Sequence, residues 1–128
     1  VKGAYWDTEI KIVLTSIFFS VSASASVDTY FCDYPTYSDE RGNHKTKGSF
    51  SMSFIVDKVS KKNYMLGKRS VEVAMFRSPG QIAFIERTVS GNVMTTSITD
   101  DLSSVHSRNS VVYGQIVPSQ YYGKCVIR

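Results

Sequence analysis

Ser49-Phe50-Ser51-Met52-Ser53-Phe54-Ile55-Val56 decides the fold class of this chain. Phe50, Met52, Phe54 and Val56 alternate with Ser49, Ser51, Ser53 and Ile55, which gives one continuous apolar row and a largely polar one. Period two belongs to a strand, whose successive side chains point to opposite faces. Working outward, residues 64–66, 71–76, 81–87, 92–99 and 105–116 are rich in β-branched or aromatic side chains and read as further strands. Gly42-Asn43, Gly67-Lys68, Pro79-Gly80 and Gly91-Asn92 stand at or between them as turn signals. Strands at this spacing make an antiparallel meander the economical topology.

No segment after residue 26 sustains a helical period, and residues 100–104 offer one short helical turn at most. Apolar rows must be buried against each other, in a small closed barrel or a two-sheet sandwich. The barrel is preferred because closure removes exposed edges. Residues 27–47 are less regular, and residues 39–47 are polar enough to read as a mobile loop.

Residues 1–25 read as a secretory signal peptide that places a hydrophobic helix ahead of the domain. Lys11 supplies positive charge, residues 12–21 form a short apolar run, and Ala23-Ser24-Ala25 offers the small side chains that a signal peptidase accepts. Cleavage would leave Ser26 first. Asp7 and Glu9 are unusual in such a leader, whose first part is normally basic. A retained anchor is the alternative, but a membrane-spanning helix needs roughly 20 apolar residues. This run is shorter, and serines interrupt and flank it. An amphipathic first helix fits less well, because residues 12–21 are apolar on too many sides. No cysteine stands beside the cleavage site to carry a lipid. The protein is therefore expected in the periplasm or outside the cell.

Residues 26–128 suffice for one domain, and the net charge of +4 is unchanged when the leader is set aside. The two cysteines, Cys32 and Cys125, stand near the two ends of that domain, where an oxidising compartment favours a disulfide. A bridge closing a loop of about ninety residues stabilises by roughly 4 to 5 kcal/mol in the chain-entropy view. Two isolated cysteines lack zinc-site spacing, and there is no Cys-x-x-Cys pair for redox chemistry.

Catalytic and cofactor motifs are absent. His44 and His106 are the only histidines; His44 falls in the expected loop, which leaves His106 as the better base. His106 and Arg108 share one side of their strand, and Glu86 with Arg87 ends another, so an acid, an imidazole and a guanidinium would meet if those strands were neighbours. The plainer reading makes them solvent-facing residues of a half-wet sheet. Asp39-Glu40 and Asp100-Asp101 lack the alternating oxygen ligands and glycine of a calcium loop, and no phosphate-binding glycine pattern is present. No cofactor or metal is implied. Lys45, Lys47, Lys58, Lys61, Lys62, Lys68 and Arg69 fall mainly at expected turns, and export removes most nucleic acid from reach. An anionic envelope component is a more plausible polyanion than DNA. Pro118 ends its strand or confines it to a sheet edge. Tyr121-Tyr122 carries large rings with polar tips that suit a rim or interface, or cover the barrel's open end over the disulfide.

An N-terminal signal, Tyr30-Phe31-Cys32 and a late Cys125 together resemble small periplasmic barrels such as the bacterial lysozyme inhibitors. The resemblance covers this general plan alone. No inhibitory motif matches, a basic chain is ill suited to a basic lysozyme, and no functional residue is carried across. The reading is a monomeric, exported, non-catalytic binding or accessory module, whose partner is an unknown protein or envelope ligand. It meets a membrane only through an uncleaved leader, and His106, Arg108, Tyr121 and Tyr122 are its candidate binding residues. The alternatives are a small hydrolase-like enzyme using His106 and a membrane-anchored accessory subunit retaining residues 10–26.

Overall fold

The structure, a computed structural model, describes residues 3, 15–20 and 26–128. The leader expected over residues 1–25 falls largely outside the described residues. Nine strands follow: β1 (Val27–Asp39), β2 (Gly42–Lys45), β3 (Ser51–Asp57), β4 (Asn63–Leu66), β5 (Ser70–Ser78), β6 (Gln81–Arg87), β7 (Val93–Thr99), β8 (Ser103–Val112) and β9 (Gln115–Ile127). No helix forms among the described residues. Every pairing is antiparallel, β3 to β9 follow in chain order, and β1 pairs with both β3 and β9. Eight strands thus close into a barrel, and β2 extends β1 as a hairpin. Closure, and not a second sheet, resolves the choice between barrel and sandwich.

Eight strands leave an interior just wide enough for side chains to fill. The alternating row of β3 fills it as expected: Met52, Phe54 and Val56 are buried, and Phe50 packs against them. Phe54 stacks on Phe84 of β6 at 4.5 Å between ring centroids, and Tyr30 meets Phe84 edge-on at 6.2 Å. Side chains from β1, β3, β4, β5, β6, β7 and β9 meet in this core.

Several local expectations are corrected. Residues 27–47 are two ordered strands, joined by a turn in which Asp39 accepts a 2.8 Å hydrogen bond from the Arg41 amide. Residues 105–116 are not one strand, because the chain reverses at Tyr113-Gly114, with φ of 49° and 73°. Positive φ at both central residues is the primed hairpin turn. Residues 100–102 form a tight turn and Ser103 and Ser104 already belong to β8; Asp101 accepts from the Ser103 amide at 3.1 Å and from the Thr99 hydroxyl. Of the two readings of Pro118, the sheet edge holds, and the strand runs on through it. A two-residue turn makes Val112 and Gln115 a hydrogen-bonded pair, and the alternation then makes Asn109 and Pro118 a non-bonded one. The missing N–H of Pro118 therefore faces the open edge, where no strand needs it.

The seam between β1 and β9 closes the barrel. Cys32 and Cys125 stand directly opposite each other and are joined by a disulfide. Beyond them the register slips between Asp33 and Thr36, a β-bulge. The bulge presses on Gly123, where a Cβ would lie 1.8 Å from the Asp33 carbonyl oxygen and 2.9 Å from the Tyr34 Cα. Both obstacles are backbone, so neither can swing aside. Gly123→Ala is expected to lose at least about 3 kcal/mol, the upper range for overpacking. For a domain this size that lowers the melting temperature by roughly 12 °C or more. Gly67→Ala, with nothing within 4 Å of its Cβ, is the control. Equal melting temperatures for the two variants would mean that the seam is not tightly closed.

Candidate functional site

At one end of the barrel lie the β1–β2, β4–β5, β6–β7 and β8–β9 turns. Toward this end β8 points a ladder of polar side chains inward: Ser104 and His106 are buried, and Arg108 is half-buried. Their inward aim follows from period two, and each finds a partner as buried polar groups must. Ser104 and the Tyr34 hydroxyl are 2.9 Å apart. Burial pushes the Tyr34 phenol up to about 12, against the opposing effect of that hydrogen bond.

His106 is engaged at both ring nitrogens. Nδ1 lies 2.7 Å from the Thr96 hydroxyl of β7, and Arg108 Nε donates to Nε2 at 3.2 Å. A guanidinium can only donate, so Nε2 must accept and Nδ1 carries the proton. The imidazole is neutral: burial first, and the Arg108 charge second, lower its pKa to about 4.

The Arg108 guanidinium lies 4.8 Å from the Phe50 ring centroid and 4.9 Å from that of Tyr121. Such cation–π contacts hold it flat and in place. Tyr121 also stacks on Tyr37 at 5.2 Å, and Tyr37 on His44 at 4.9 Å. The His44 ring nitrogen Nε2 is 2.8 Å from Asp39 Oδ1, a contact that heads the causes holding the Asp39 carboxyl below its usual range. Inward on β6, half-buried Glu86 is raised above its usual range by burial, with Arg108 opposing. Between β6 and β8 runs β7, whose Met94 pairs with both Glu86 and Arg108.

Outside this mouth is a cleft of about 570 Å³, lined by Arg108, by the carboxylates Asp39 and Glu40, and by neutral side chains that include Ser38, Thr95, Ser107, Asn109, Ser119 and Gln120. Among the described residues the Arg108 terminal nitrogens have no hydrogen-bond partner. A planar guanidinium held by its faces and its Nε presents a preformed fork to a carboxylate or phosphate.

Three of the four candidate binding residues therefore converge: His106, Arg108 and Tyr121, with His106 opposite Tyr121 in the register. They face the interior and the mouth, not a wet sheet face. Tyr122 lies on the outer surface, its hydroxyl 3.0 Å from that of Ser38 and 3.1 Å from the Gln120 amide oxygen. His44 is on a strand, not in a loop. Phe50, Thr96 and Tyr37 were missed as members of the site. Period two puts Phe50 and Thr96 inside, but no sequence signal gives the bulge that turns Tyr37 inward. Among the described residues no three His, Cys, Asp or Glu side chains converge as metal ligands.

The buried imidazole sets a pH dependence. Between its folded pKa of about 4 and an ordinary unfolded value near 6.5, the unfolded chain binds a proton that the folded one refuses. Stability is then complete above about pH 6.5 and falls by something on the order of 3 kcal/mol as the pH drops toward 4. Asp39, Asp57 and Asp101, held below their usual range, lose their contributions only at lower pH. Glu86 works in the opposite sense. Urea midpoints between pH 7 and 4.5 are expected to fall steeply in the native protein. In His106→Gln, less stable throughout, they should lie nearly flat. Parallel slopes in the two proteins would mean that His106 is not buried neutral.

No protein-family model, no curated protein and no solved structure matches this chain, so the reading of its function rests on the chemistry of this barrel mouth.

Proposed function

We propose that the protein is a small exported binding module, monomeric and non-catalytic, that takes an anionic group of a polar ligand at the mouth beside Arg108. The observation that carries this reading is the clamped guanidinium. Phe50 and Tyr121 hold its faces, His106 holds its Nε, and Arg108 lines a cleft of hydroxyls, amides and two carboxylates, Asp39 and Glu40. Little side-chain entropy remains to be lost on binding, which is the usual cost of recruiting an arginine. The hydroxyls and amides of that cleft suit a hydroxyl- or amide-rich chain bearing one carboxylate, which Arg108 draws in against the repulsion of Asp39 and Glu40.

Support for binding over catalysis comes from the same geometry. His106 is the base that a hydrolase reading needs, yet its Nε2 lone pair already accepts from Arg108 and its pKa lies near 4. A general base at neutral pH wants a pKa closer to its working pH. Export is supported by the Cys32–Cys125 disulfide, since such bonds persist in oxidising compartments.

Two experiments test the proposal. A Ser/Gly tetrapeptide with a free C-terminal carboxylate should shift the backbone amide resonances of Ser107, Arg108 and Ser119. Its C-terminal amide should not, and Arg108→Gln should abolish the effect; identical responses to acid and amide would sink the anion reading. For export, the intact mass of protein from a secreting host should match a chain starting at Ser26 and lacking two hydrogens. A full-length mass would make residues 10–26 a retained anchor.

A further inference from the structure

The end of the barrel that carries the mouth also carries two apolar tips. Val89, in the β6–β7 turn, and Tyr113, in the β8–β9 turn, are both fully exposed. The Val89 turn is not loose. Thr88 N–H donates to the Asn92 carbonyl at 2.9 Å, Gly91 N–H to the Thr88 carbonyl at 3.0 Å, and Asn92 N–H to the Thr88 hydroxyl at 3.0 Å. The turn's polar groups are spent on itself, and the valine is what it offers outward. Asn92 Oδ1 also accepts from the Val111 amide at 3.0 Å, tying this turn to the neighbouring hairpin. That hairpin runs past the β1 pairing, and Val111, Val112, Ile116 and Val117 remain substantially exposed around Tyr113.

Cations stand beside these tips. Lys68, Arg69 and Arg87 line one cleft with Val89, over an apolar floor of Met65 and Val71. Among the described residues none of the three makes an ion pair. Glu86, whose burial favours its neutral form, is the only carboxylate in that cleft. The opposite end has its own exposed valine, Val59, near Lys58, Lys61 and Lys62. There, however, Asp28 pairs with Lys58 at 3.1 Å and Asp57, Asp100 and Asp101 stand at the turns, whereas the mouth end's Asp39 and Glu40, at the β1–β2 turn, do not line the Val89 cleft. Apolar tips flanked by unpaired cations match an anionic lipid surface: apolar side chains enter the headgroup boundary and cations meet lipid phosphates.

We propose that this end of the barrel docks on an anionic lipid bilayer, with Val89 and Tyr113 entering its interfacial layer and Lys68, Arg69 and Arg87 engaging the phosphates. The depth is limited to the tips. The open backbone edge of residues 115–119 could not enter hydrocarbon without leaving polar groups unsatisfied. Tyr113 is suited to the boundary, with an apolar ring and a polar hydroxyl. This docking does not rest on ligand binding at Arg108.

The test uses secreted protein with Trp6→Phe, carrying either Val89→Trp or Val59→Trp so that the introduced indole is the sole tryptophan. Each variant is mixed with vesicles of phosphatidylcholine alone or with phosphatidylglycerol added. Fluorescence of the Val89→Trp variant should shift to the blue on the phosphatidylglycerol vesicles only, and that of the Val59→Trp variant should not shift on either. Adding Lys68→Glu and Arg69→Glu to the Val89→Trp variant should weaken its response roughly tenfold or more. Adding Arg108→Gln should weaken it far less than that double reversal, which separates failure here from failure of the anion site. No shift of the Val89→Trp variant on anionic vesicles, or a shift of the Val59→Trp variant in its place, overturns the proposal. So does an equal shift of the Val89→Trp variant on neutral vesicles.

Discussion

Closure of β1 on β9 is the constraint on which the rest depends. A meander of eight strands is stable as a barrel only if its first and last members meet, and these are separated by nearly the whole domain. Bringing them together is entropically the most expensive contact in the fold. The disulfide acts at that contact: Cys32 and Cys125 are 93 residues apart in sequence, and the cross-link relieves the folding reaction of roughly 4 to 5 kcal/mol of closure entropy. Backbone hydrogen bonds between Thr29 and Arg128, both 3.0 Å, finish the seam at one end. At the other end Gly123 lets the bulged backbone of β1 come closer than any side chain allows.

The bulge links closure to the site. Before it, Tyr30, Cys32 and Tyr34 point inward; after it, the inward residue is Tyr37. One extra residue reverses which side chains face the barrel, a known use of bulges beside functional regions. Without the slip Tyr37 would face solvent and Tyr121 would lose its stacking partner. The mouth is thus built from the seam outward: bulge, then Tyr37 on Tyr121, then Tyr121 and Phe50 on Arg108. A glycine chosen for close approach and an arginine chosen for its charge belong to one chain of contacts.

Much of the fold was legible because apolar alternation is a direct record of burial. The row through Phe54, and the strands of residues 81–87 and 92–99, lie within a residue of where the sequence put them. β1 and β2 were obscured by Pro35 and by the polar run around Asp39, where hairpin geometry overrides composition. The Tyr113-Gly114 reversal was hidden because a single glycine inside a β-branched run does not announce a primed turn. For the site, sidedness was readable and neighbourhood was not. His106 and Arg108 were visibly on one face, but that this face is the interior depends on the register with β7 and β9. Thr96, the hydroxyl partner of His106 Nδ1, had no signal beyond its parity in a strand.

The buried ladder of Ser104, His106 and Arg108 also explains why this interior tolerates polarity. Each buried polar group would cost on the order of 1 to 3 kcal/mol if left unpaired. Here Tyr34 meets Ser104, Thr96 meets His106 and His106 meets Arg108. Among the described residues no buried side-chain nitrogen or oxygen lacks a partner. The ladder works only while His106 is neutral. Protonation would convert Nε2 from acceptor to donor and set two cations against each other at 3.2 Å. Arg108 would then have to leave His106 or the imidazole its place under the mouth. The physical state of one imidazole, fixed by burial, therefore governs both how firmly the barrel is packed and how firmly its arginine is held.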